Sequence, residues 1–270
     1  MPTTYTHYRL GRGVRKLLDR DERRIIEANI ELFRIGLHGP DILFYYKPLG
    51  SNPVSRIGHE QHEKPGIEFF ENACNVIREQ INTAPYLAYI YGVICHFALD
   101  VCCHGYIAEA IEETGISHAE LEAELDREFM EKDGLNPLSF KPTGHIKPSR
   151  YNARIIAGLY PDVFPEEVHK ALKGIRFYCN LLVAPSKTKR EIIYKCLRLS
   201  GNYDGMQGMI IKYERNPKCV DTTKKLVRLY NKAGKLAVKL IEEFHSNLDG
   251  TKPFDSVYQY SFVPKHSLDD

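Results

Sequence analysis

Between Ala84 and Ile107 the chain carries no Lys, Arg or Glu, and its only carboxylate is Asp100. Within that apolar run His96, Asp100 and His104 recur every fourth residue. On a helix each such step overshoots a full turn by about 40°, so the three side chains fall within about 80° of one another. An uncompensated carboxylate in apolar surroundings costs several kcal/mol, and a bound cation would offset that cost. The run is long enough to be tested as a membrane span. Three ionisable groups in its second half, with no further span elsewhere, favour instead a buried helix of a soluble protein with no transmembrane segment.

With 270 residues, 43% of them hydrophobic, the chain can bury a substantial core. Amphipathic segments of helical period dominate it, and alternating strand patterns are hard to find, so the expected fold is all-α. The expected helices are Val14 to Ile35, Gly66 to Asn82, Ala84 to Thr114, Ser117 to Lys132, Ser149 to Leu159, Glu166 to Leu182, Lys187 to Leu199 and Thr222 to Leu248. Ser117 and Glu120 form an S-x-x-E capping box, which starts a helix there and sets His118 and Glu122 one turn apart on one face. Gly36 to Pro65 and Asp133 to Pro148 read as irregular. The organisation expected is one domain over 1–270, with a metal-ligand half over about 1–132, a loop over 133–148, a helical half over 149–250 and an irregular tail over 251–270.

A formal charge of +2 makes no global electrostatic case for a nucleic-acid partner. The first residues lack the basic and apolar regions of a secretory signal, which points to a cytoplasmic protein. Seven cysteines form no C-x-x-C pair and read as reduced core residues; Cys103, seven residues beyond His96, lies on nearly the same face, where a thiolate would suit a soft metal. Near the end, Leu226, Leu229, Tyr230, Ala233, Leu236, Ala237, Leu240 and Phe244 make an apolar stripe opposite Lys224, Lys225, Arg228, Lys232, Lys235 and Lys239. Such a helix docks on a core with a solvated basic face; peripheral contact with anionic lipid is the alternative.

Seven of the eleven histidines, His7, His38, His59, His62, His96, His104 and His118, fall within the first 118 residues. With Asp41, Asp100 and Glu122 they give a nitrogen and oxygen ligand set that suits zinc and needs no thiolate. These are too many groups for one tetrahedral ion. Asp100, between two imidazoles, has two oxygens with which to bridge neighbouring metals, an arrangement that serves phosphoryl chemistry.

The run Thr6-His7-Tyr8-Arg9, the loop Gly39-Pro40-Asp41-Ile42-Leu43-Phe44-Tyr45-Tyr46, the His96/Asp100/His104 helix and the His118/Glu122 pair together resemble the zinc-dependent phospholipase C family, related in fold to the S1/P1 nucleases. The resemblance covers about residues 1 to 125. It implies an all-α bundle of the phospholipase C and P1 nuclease type, with two or three zinc ions in a cleft. Carried onto matching positions, it implies that Asp41, His62, His96 and Asp100 hold one ion, His104, His118 and Glu122 a second, and His7 and Asp100 a third, with His59 competing for the place of His62. Secreted members complete the third ion with an N-terminal Trp. This chain has no Trp, and a Pro2 amine exposed by loss of Met1 is the substitute considered. His38 takes no ligand role by resemblance and reads as either a support for the ligands or a surface residue.

The activity implied is hydrolysis of a phosphodiester such as a phospholipid headgroup linkage, with Asp41 and Asp100 as the catalytic carboxylates. Asp41 would accept a proton from the attacking water. An S1/P1-like nuclease or nucleotidase would use the same ions with aromatic side chains stacking on a base, for which Phe44, Tyr45 and Tyr46 are placed. A non-catalytic protein with structural zinc is the third reading, marked by a closed ligand shell.

Overall fold

The computed structural model describes residues 4–266; the Pro2 amine considered above lies outside them. The helices are α1 (Thr4–Leu17), α2 (Arg20–Ala28), α3 (Ile30–Gly36), α4 (Pro53–Glu63), α5 (Gly66–Arg78), α6 (Ala84–Thr114), α7 (His118–Lys132), α8 (Arg150–Ala157), α9 (Pro165–Leu182), α10 (Lys187–Leu199), α11 (Tyr203–Met206) and α12 (Val220–Ser246). A 3-10 segment, Gly39–Tyr45, joins α3 towards α4. No strand occurs among the described residues; Pro65 and Ser261 form an isolated bridge. The fold is all-α, as the periodicity implied.

Helix α6 is the axis of the molecule. It begins behind Thr83 with Pro85 in its first turn, ends at Gly115 in the left-handed region, and is buried along most of its length. It is the one described helix long and apolar enough to cross a membrane, and 94% of its most apolar window is covered by the rest of the protein. Helices α3 and α12 cover it most extensively. A Cβ at Gly92 would lie 2.3 Å from the Phe33 carbonyl oxygen, and one at Gly36 would lie 2.1 Å from that of Tyr89. The two backbones therefore touch where α3 crosses α6, which a larger residue at either position would prevent. That crossing delivers the chain directly to Gly39, whose φ of +46° is a left-handed value, with its Cα side against the His96 ring.

Three segments depart from the sequence expectation. The single helix expected over Val14 to Ile35 is three, broken at Asp19 and Asn29, both outside helical geometry. These short polar side chains favour caps over helix interiors. Helix α1 starts at Thr4, well before Val14, because its first turn is capped from far away: the Asp126 carboxylate on α7 accepts from Tyr5 N (3.1 Å), Thr6 N (2.8 Å) and Thr6 Oγ1 (2.6 Å). Finally, Gly36 to Pro65 is only partly irregular. Asn52 and Ser55 exchange capping hydrogen bonds around Pro53 and start α4, the helix that carries His59 and His62.

The C-terminal helix docks by its apolar stripe, with Leu226, Ala233, Ala237, Leu240, Ile241 and Phe244 buried. The tail beyond it is built into the core: Tyr258 and Phe262 are fully buried, packed on Phe97, and the Tyr260 carbonyl accepts from Gly66 N at 2.8 Å. All seven cysteines are free thiols.

Candidate metal centre

Five elements converge on one buried spot. Helix α1 brings His7, the 3-10 segment Asp41, α4 His62, α6 His96, Asp100 and His104, and α7 His118 and Glu122. Every one of these side chains is buried except His118, which is half-exposed. They fall into three groups whose candidate ligand atoms lie within 4.8 Å of one another: His7, His96 and Asp100; Asp41, His62 and His96; His104, His118 and Glu122.

Asp100 joins the groups. Its Oδ2 lies 3.1 Å from His96 Nε2, while Oδ1 lies 3.3 Å from His7 Nε2 and 3.9 Å from His104 Nε2. On either side, Asp41 Oδ1 is 2.7 Å from His62 Nε2, and Glu122 Oε1 is 3.3 Å from His118 Nε2 and 3.6 Å from His104 Nε2. Of the two histidines on α4, His62 meets Asp41, whereas His59 is exposed and stacks on Phe44 at 4.3 Å. Cys103 is buried outside the three groups, and burial, reinforced by Cys102 and by the Asp100 and Glu122 charges, pushes its thiol well up and keeps it protonated.

The imidazole tautomers show that these atoms suit a metal cation. His62 Nδ1 lies 2.8 Å from the Gly58 carbonyl and His104 Nδ1 2.8 Å from the Phe262 carbonyl. A carbonyl only accepts, so both rings carry a proton on Nδ1, and in the neutral form each Nε2 presents a lone pair. Those lone pairs face carboxylate oxygens. His62 Nε2 and Asp41 Oδ1, close as they are, do not lie along a hydrogen-bond direction, and both are buried without a hydrogen-bond partner, as are both His96 ring nitrogens and Asp100 Oδ2. Acceptors crowded together in a buried site without a protein donor between them call for positive charge among them. Zinc accepts this imidazole and carboxylate set.

Protons supply that charge in the metal-free protein. Burial opposes ionisation throughout, yet the His96 and His104 imidazoles hold Asp100 well below the usual carboxylate range, and His96 and His62 lower Asp41. His118 and His104 hold Glu122 low. Conversely, against the cost of burial, Asp100 and Asp41 raise His96, and Asp100 with Glu122 raises His104 to about 9. His7 is lowered, first by burial and then by the neighbouring His96.

Four groups steady or border the site, three of them absent from the sequence reading, while His38, which reads there as either a support for the ligands or a surface residue, is buried. The Gly58 and Phe262 carbonyls fix the two tautomers, as hydrogen-bonded outer partners of metal-binding imidazoles commonly do. His38 is buried beside the site, bordering a small cavity with His7, Asp41 and Tyr45, and its Nε2 lies 2.7 Å from that of His145, which stacks on Tyr8. Burial holds His38 well below its usual pKa and His145 at about 3, so both rings are neutral and share one proton. Asp126 is the fourth, since it anchors the turn from which His7 projects, and burial pushes its carboxyl up to about 7 despite the hydrogen bonds from Thr6 and Tyr5. Asp126→Ala is expected to cost about 1–3 kcal/mol of stability by stranding buried donors, and to reduce zinc retention through displacement of His7. Denaturant unfolding checks the first and metal analysis the second; wild-type values in both would mean that α1 is held without this cap.

The site opens to solvent beside His118. A cleft of about 590 Å³ is lined by His62, His104, His118 and Glu122 and walled by Phe44, His59, Glu63, Asp204, Met209 and Val263. Buried carboxylates set among imidazoles, with a half-exposed imidazole at the mouth, fit a zinc-dependent phosphoesterase, a metal-dependent hydrolase rather than a closed structural site. The chain belongs to the zinc-dependent phospholipase C family, whose model matches residues 6–174. No curated protein and no solved structure matches it. The matched span holds all eight residues brought together here; the tail that supplies the Phe262 carbonyl lies beyond it.

Proposed function

We propose that the protein hydrolyses phosphodiesters whose alcohol is neutral or cationic, as in the headgroup linkage of a zwitterionic phospholipid, releasing diacylglycerol and a phosphorylated headgroup. The observation that carries this reading is the charge of the cleft. Among the described residues no Lys or Arg lines it, and its added acids are Glu63 and Asp204, beside the imidazole of His59. Nucleic-acid sites track the phosphate backbone with basic side chains, so a polyanion is disfavoured here, while an ammonium group is favoured beside two carboxylates and an aromatic ring.

In this reading Asp41, His62, His96 and Asp100 hold one zinc, His104, His118 and Glu122 a second, and His7 with Asp100 a third. Zinc, when bound, acidifies water and draws charge from a phosphoryl group. The remaining work falls to the chain. Asp41 accepts a proton from the attacking water as the water oxygen bonds to phosphorus, the bond from phosphorus to the alcohol oxygen breaks, and the leaving oxygen takes up a proton from solvent on the open side of the cleft, matching the one Asp41 has gained. The Gly58 and Phe262 carbonyls keep His62 and His104 facing inward while this happens.

The test is a panel of phosphatidylcholine, phosphatidylserine, single-stranded DNA, a nucleotide and an aryl phosphodiester, with zinc and with chelator. Zinc-dependent turnover of phosphatidylcholine above phosphatidylserine, single-stranded DNA and the nucleotide is expected. Faster cleavage of DNA or the nucleotide would replace this reading with the nuclease one.

A further inference from the structure

Helix α9 has two unlike faces. Val168, Ala171, Leu172 and Ile175 are buried, and Ile175 borders the small cavity that also holds His7 and Asp41. The opposite stripe, Lys170, Lys173, Phe177 and Leu181, stands exposed at steps of three and four residues. Phe177 is 62% exposed, which is unusual for a side chain that gains about 1.5–3 kcal/mol from burial. Beside this stripe runs α8, whose exposed residues include Arg150, Tyr151 and Arg154. Arg150, Arg154, His169, Lys170 and Lys173 line a single groove between the two helices, against one acid, Glu166.

None of those five basic side chains forms an ion pair or a side-chain hydrogen bond among the described residues, whereas Arg9, Lys132, Lys212, Arg215, Lys224 and Lys239 each meet a carboxylate. We infer that the α8 and α9 face is a docking surface for a bilayer containing anionic lipid. Charge complementarity selects an anionic partner, and the exposed Tyr151, Phe177 and Leu181 select a lipid surface over a dissolved phosphate. A small anion would satisfy the cations and leave those side chains in water, whereas interfacial segments pair basic residues with apolar ones that enter the headgroup region. The face sits one helix thickness, about 10 Å, from the segment carrying Asp41, with the Tyr45 carbonyl pressed against Gly174 of the same helix. This inference rests on the phospholipid reading above, and supplies what a hydrolase of membrane lipid requires: a hold on the surface independent of the cleft.

Flotation of the full chain with vesicles tests it without turnover. Vesicles of phosphatidylcholine containing about 30 mol% phosphatidylserine are expected to bind the protein at least about 10-fold more tightly than pure phosphatidylcholine, an advantage lost in high salt. Lys170→Glu/Lys173→Glu should weaken that binding about 30-fold or more, at about 1 kcal/mol per basic residue, and Phe177→Ser/Leu181→Ser should weaken it with the charge intact. Hydrolysis of a soluble aryl phosphodiester should be unchanged in both variants, which also reports that they fold. Equal binding to the two vesicle types, wild-type binding by the charge variant, full displacement by millimolar inorganic phosphate, or preference for DNA over vesicles would each overturn the inference. If anionic vesicles are bound as described but no phospholipid is hydrolysed, the substrate reading fails and the docking surface stands.

Discussion

Asp100→Asn is expected to abolish most of the metal content and to lower phosphodiester hydrolysis by more than about 100-fold, beyond the 10–100-fold range typical of residues that merely support a ligand. The substitution keeps the shape of the side chain, so its effect isolates the charge. Among the described residues Asp100 is the one carboxylate within 4 Å of three imidazoles, His7, His96 and His104, on two helices. An amide offers one acceptor where the carboxylate offers two, and turns an NH₂ towards ring nitrogens that would otherwise meet a cation. If Asp100 is shared between ions, zinc per chain should fall by more than one equivalent, as read by elemental analysis. A loss of one equivalent with activity retained would assign Asp100 to a single ion, and retention of both metal and activity would remove it from the centre.

The heart of this site was legible because it is written along one helix. Ala84 to Thr114 has an uninterrupted apolar character, a Pro in its first turn and a Gly after its last, so its ends and its register follow from the sequence, and with them the common face of His96, Asp100 and His104. The same holds for His118 and Glu122 behind Ser117, although only half of the expected capping box forms: Ser117 accepts from Glu120 N, while the Glu120 carboxylate is drawn to Lys212 and Asn216. The choice between His59 and His62 needed α4. Once Asn52-Pro53 is read as a helix start, Val54, Gly58 and His62 step by four along the buried face and His59 falls off it.

What the sequence withholds are contacts between distant segments that leave no periodic trace. Nothing near Thr4 announces a helix, because the residue that caps it lies 120 positions away at Asp126. The carbonyl that orients His104 belongs to Phe262, in a tail with no regular pattern, and a carbonyl has no residue signature at all. The contact between Gly36 and Gly92 is equally silent, since a glycine reads first as a loop or a weak point in a helix, here misleadingly for both.

Chelation of the purified protein is expected to remove all hydrolysis, with recovery on adding zinc, and to lower the unfolding temperature by an amount that grows with pH. Each ion present at about 1,000 times its dissociation constant contributes about 4 kcal/mol to the folded state, so losing two or three is a large fraction of a domain's stability. The pH dependence follows from what replaces them. In the metal-free protein His104 has its pKa raised from 6.5 to about 9, and His96 is raised as well. A group whose folded pKa exceeds its unfolded one stabilises fully below the unfolded value and loses that contribution as pH rises through the folded value. Metal-free protein should therefore lose stability between about pH 6.5 and 9. The lowered carboxylates Asp41, Asp100 and Glu122 give up their contribution only in acid, and His7, lowered by burial, acts mainly below this window, where the unfolded imidazole takes up its proton, so neither reverses the sign. The zinc-loaded protein should trend the other way, because imidazoles bind metal in the deprotonated form. Thermal unfolding with chelator and with zinc at several pH values reads both slopes, and parallel slopes would mean that the same cations occupy the centre in the two preparations.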